Sequence, residues 1–110
     1  SYAIGPNLTE CVSAWDMKGA TMDNSTLPLL DNALSLLLPG FLYNVDVSYV
    51  QNGTLITKNT ILQGYPTEDA AVARRTVMLT NSTVTAAKGK WSLASDELQM
   101  VEVKLTVWQV

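Results

Sequence analysis

Phe41-Leu42-Tyr43-Asn44-Val45-Asp46-Val47-Ser48-Tyr49-Val50-Gln51-Asn52-Gly53-Thr54-Leu55-Ile56-Thr57 is the stretch that decides the fold. Phe41, Tyr43, Val45, Val47 and Tyr49 alternate with Asn44, Asp46 and Ser48, the two-residue period of a half-buried strand. Asn52-Gly53 follows between two apolar runs, and both residue types accept the positive φ that a two-residue hairpin turn demands. The pattern predicts strands at 41–51 and 54–62. Gln63-Gly64-Tyr65-Pro66 then breaks the chain, and Thr67-Glu68-Asp69 keeps it in a loop.

Downstream, residues 71–80 read as a third strand with Ala73, Val77 and Leu79 inward. Val101, Val103, Leu105 and Val107 alternate with Glu102, Lys104, Thr106 and Trp108 in a fourth strand over 98–109. The polar connection from Asn81 to Glu97 is too long for a tight hairpin and reads as a loop or as one short irregular turn.

Upstream the period becomes helical. Residues 26–38 form a Leu-rich helix, capped by Ser25 or Thr26, with Pro28 in its first turn and Pro39-Gly40 ending it. On a helical wheel Asp31, Asn32 and Ser35 share a narrow polar strip, and the leucines fill an arc roughly 200° wide. A helix lying on one sheet in water needs only about 100°. This one therefore calls for cover on a second side, from an N-terminal helix, a partner or a further segment. The N-terminal helix is placed at 8–18: Asn7 caps it, Glu10 stands in capping-box spacing, and Lys18 and Gly19 close it. Leu8, Cys11, Val12 and Trp15 share its apolar face, with an extended segment through 11–15 as the competing reading. The expected architecture is α+β: one or two N-terminal helices packed on a four-stranded, mainly antiparallel sheet, in one domain over 1–110.

Chemistry is scarce. The 110 residues contain no histidine and one cysteine, which removes His-based triads, Cys/His zinc sites and an internal disulfide. A net charge of −3 leaves no electrostatic footprint for nucleic acid. Glu68-Asp69 and Asp96-Glu97 are adjacent pairs whose side chains diverge on an extended chain, so neither forms a carboxylate dyad. Arg74-Arg75 reads as a salt bridge or a snorkelling arginine at the sheet margin, with an anion site as the competing use, and Cys11 as a small apolar residue with no base to activate it. No catalytic residue, metal site or cofactor is expected. Trp15, Trp91 and Trp108 are the candidate ligand-binding residues of an alternative reading, a secreted small-ligand or carbohydrate-binding module.

Four Asn-x-Ser/Thr sequons, at Asn7, Asn24, Asn52 and Asn81, exceed the roughly one that random order predicts, and make glycosylation at an extracellular surface the expectation. Turn and cap chemistry is the competing use of the same residues. Leu36-Leu37-Leu38-Pro39-Gly40, Tyr43-Asn44-Val45 running into Asn52-Gly53-Thr54, Arg74-Arg75-Thr76-Val77 and the closing Val101–Trp108 strand together resemble archaeal pilin-like and pseudopilin-like cell-surface proteins. The resemblance covers residues 23–110. It implies a non-enzymatic, glycosylated head outside the cell, anchored in the membrane only through a hydrophobic segment upstream of Ser1. Its partners would be copies of itself or other surface-filament subunits.

Overall fold

The structure is a computed structural model that describes residues 5–17 and 27–110. Its elements run α1 (Gly5–Ser13), α2 (Pro28–Leu37), β1 (Phe41–Gln51), β2 (Thr54–Leu62), β3 (Ala71–Thr80), α3 (Asn81–Ala86) and β4 (Leu98–Gln109). The fold is α+β, with one four-stranded sheet in the order β2-β1-β4-β3 and every neighbour antiparallel. The strands occupy the ranges that the alternation and turn signals delimit. Asn52 and Gly53 both have positive φ, 51° and 76°, the conformation a type I′ hairpin requires.

Register sorts the sheet into two faces. Tyr43, Val45, Val47 and Tyr49 lie opposite Val107, Leu105, Val103 and Val101, and this face carries the core with Val77, Leu79 and the helices. Ala73 shares that face but is exposed, contrary to its expected inward burial, because the core stops short of that end of β3. The other face carries Asp46, Lys104, Arg74 and Glu102 in adjoining rows. There Arg74 Nη1 donates to Glu102 Oε1 at 2.9 Å, a salt bridge being one of the sheet-margin uses expected of the arginine pair. A bulge between Val45 and Asp46 leaves Thr60 buried, its hydroxyl donating to the Val45 carbonyl at 3.0 Å.

Three helical expectations are corrected. The first helix covers 5–13 rather than 8–18, so Asn7 lies inside it and is not its cap; Lys18 and Gly19 lie outside the described residues. Its end is set by tertiary bonds. Trp91 Nε1 donates to the Val12 carbonyl at 2.8 Å, and the Lys90 amide to the Trp15 carbonyl at 3.1 Å. The chain thus leaves the helix where Trp91 shares the Val12 carbonyl with the Trp15 amide and Lys90 holds the residues just beyond. Leu8, Val12 and Trp15 are buried on the expected face. The second helix has Leu27 at its N-cap with no side-chain cap and Pro28 at N1; Ser25 and Thr26, the expected caps, lie outside the described residues. Within the polar connection, Thr80 and Thr83 form a reciprocal capping box that starts α3, a regular helix in place of the expected loop or irregular turn.

Tyr43 ties α2 to β1. Its hydroxyl donates to Asp31 Oδ1 at 2.6 Å and lies 3.0 Å from the Asp31 carbonyl oxygen. Burial first, then the Asp31 carboxylate, push the phenol up from 10.0 to about 12. The stabilisation is complete below the unfolded-state value of about 10 and is lost as pH rises toward 12. Tyr43→Phe is expected to cost about 1.5 kcal/mol at pH 7. Its deficit against the wild type should shrink at pH 11, as read by urea unfolding at both pH values.

Candidate functional site

Two of the three candidate tryptophans meet. Trp15 and Trp91 pack edge to face with ring centroids 5.5 Å apart, and Tyr49 completes the cluster at 6.4 and 5.0 Å from them. Trp108 is not part of it. The β4 alternation puts Trp108 on the opposite face of the sheet, where Gly64 of the β2–β3 loop covers it. That loop is held by Asn44, whose carboxamide accepts from the Gln63 amide at 2.8 Å and donates to the Gly64 carbonyl at 2.9 Å. Trp15 and Trp91 are themselves core residues, 3% and 8% exposed, so they do not form an open stacking platform.

Beside the cluster lies a cleft of about 300 Å³, between the β1–β2 turn and the segment leading into β4. Tyr49 and Trp91 reach it from the core, and Gln51, Asn52, Glu97 and Gln99 from its rim. The rim side chains are partly fixed. Glu97 Oε1 accepts from the Ala94 amide at 3.0 Å, and Gln99 Nε2 donates to the carbonyls of Met100 and Val50 at 3.1 and 3.3 Å. The cleft residues come from three separate segments with no shared spacing; Trp91 carried a sequence signal as a candidate ligand-binding residue and Asn52 as a turn and sequon residue.

The second surface feature is apolar. Leu30 and Leu34 face the core, whereas Leu29, Leu36 and Leu37 are 62%, 83% and 51% exposed. With Ala33 they form a stripe at i, i+4, i+7 and i+8 along α2. The α1 helix contacts α2, yet Leu29, Leu36 and Leu37 stay exposed. Phe41, just beyond the helix, is exposed too.

The remaining candidates do not converge. Cys11 is half-buried, its thiol raised by burial and by Glu10, away from the reactive range. Glu68-Asp69 and Asp96 are exposed in turns. Asp46 is shifted upward by burial, which Lys104 opposes. Among the described residues no group of three metal-ligating side chains occurs, and no helix is long and apolar enough to cross a membrane. Of the sequons, Asn52 is exposed at the hairpin tip, Asn24 lies outside the described residues, and Asn81 donates its amide to the Leu93 carbonyl at 2.9 Å.

Residues 3–107 match DUF7288, a family of unknown function. The chain belongs to that family. No curated protein and no solved structure matches it. The DUF7288 match spans α1 to Val107 of β4, so the cleft and the α2 stripe both fall within it.

Proposed function

We propose that this chain is a non-enzymatic contact domain, the extracellular head of a pilin-like cell-surface protein that works by assembling with further copies of itself. The observation that carries the reading is the exposed Leu29-Leu36-Leu37 stripe on a helix whose other side is already buried. Isolated exposed leucines are ordinary, but three in register on a ten-residue helix form a continuous apolar strip. The stripe holds no charge, since Asp31 is turned to Tyr43, so two copies meet there without like charges in contact. The net charge of −3 repels at long range, and salt screens it.

Sedimentation velocity tests this across protein concentration at low and high salt. The wild type should associate with rising concentration, more strongly at high salt. The double variant Leu29→Gln/Leu36→Gln should remain a monomer while its melting temperature stays within a few degrees of the wild type. A wild type that remains monomeric throughout contradicts the reading.

A further inference from the structure

We infer that the cleft lined by Tyr49, Gln51, Asn52, Trp91, Glu97 and Gln99 binds a neutral saccharide. Three carboxamides and one carboxylate line it. The carboxamides of Gln51 and Asn52 both donate and accept, whereas Gln99, whose Nε2 is engaged by two carbonyls, and the Glu97 carboxylate accept, a mixture that suits the paired donor and acceptor of each sugar hydroxyl. Among the described residues no lysine or arginine lines the cleft, so an anion finds no counter-charge from them. Among the described residues one carboxylate stands in the cleft without a second acid, which does not make a cation site. An apolar ligand would leave the rim groups desolvated and unpaired.

Size and rigidity agree with this class. A cleft of about 300 Å³ is at the small end of ligand sites, the scale of one or two sugar rings. The walls are held before any ligand arrives. Asn52 sits in the type I′ turn, Gln99 bridges two backbone carbonyls, and Glu97 is oriented by the Ala94 amide. Trp91 is fixed by its bond to Val12 and by the rings of Trp15 and Tyr49. Pre-ordered walls spare a weak ligand the cost of organising them.

The site is independent of the assembly reading, because the stripe on α2 leads into the opposite end of β1 from the cleft. Failure of one leaves the other standing. The test is a titration of the ¹⁵N-labelled chain with methyl α-glucoside, methyl α-mannoside and N-acetylglucosamine, with glycerol and inorganic phosphate as controls. At least one sugar should give saturable amide shifts in the millimolar range, confined to residues 49–53 and 91–99, with no such response to either control. Gln51→Ala and Glu97→Gln should each weaken that binding about tenfold while the rest of the spectrum is unchanged. Non-saturable shifts, shifts mapping elsewhere, an equal response to glycerol, or affinity indifferent to both variants would overturn the assignment.

Discussion

Gly89→Ala is expected to destabilise the protein by about 3 kcal/mol or more, or to prevent folding. The reason is proximity, not backbone conformation. A Cβ at position 89 would overlap the Ser13 carbonyl oxygen and stand 2.8 Å from its carbon, both backbone atoms that have no rotamer to change. Relief requires α1 to move off the loop that follows α3. That movement would break the Lys90–Trp15 backbone bond and the Trp91–Val12 bond together. Urea unfolding reads the effect directly; a variant as stable as the wild type would show that α1 does not dock on residues 89–91.

Trp91→Ala is expected to cost about 3–5 kcal/mol, the range for deleting a large buried aromatic side chain. Trp91 holds two roles in the fold. Its ring packs edge to face against Trp15 and Tyr49, and its indole N–H takes the Val12 carbonyl at 2.8 Å. Trp91→Phe separates them, keeping most of the ring contact and losing the donor. The Val12 carbonyl keeps the Trp15 amide at 3.1 Å, so the lost bond alone should then cost about 1 kcal/mol. Thermal unfolding of the two variants tests the partition: equal losses would mean that packing contributes little beyond the hydrogen bond.

Local pattern made the sheet legible. β1 and β2 follow from alternation plus the Asn52-Gly53 turn, and these signals need no distant partner. The end of α1 was illegible because bonds from Lys90 and Trp91 decide it, and no rule of local spacing contains them. α3 was legible in principle, since the Thr80 and Thr83 pair spaces a capping box, but a polar composition concealed the helix. Trp108 shows a different failure. Its place in the β4 alternation, opposite to Val107, already separated it from the core face, and grouping it with Trp15 and Trp91 by residue type overrode that period. The cleft had no sequence signature, because its polar residues gain meaning only when the turn and the 91–99 segment meet. The excess apolar arc of α2, by contrast, could be read from the wheel, and the structure locates it as an exposed stripe.

The most direct measurement for the contact-domain account is the concentration dependence of the amide spectrum, followed residue by residue. The account predicts shifts and broadening that grow with concentration at Leu29, Ala33, Leu36, Leu37 and Phe41, and that disappear in Leu29→Gln/Leu36→Gln. A spectrum indifferent to concentration, or changes confined to the outer sheet face around Val50, Leu55 and Met100, would contradict it.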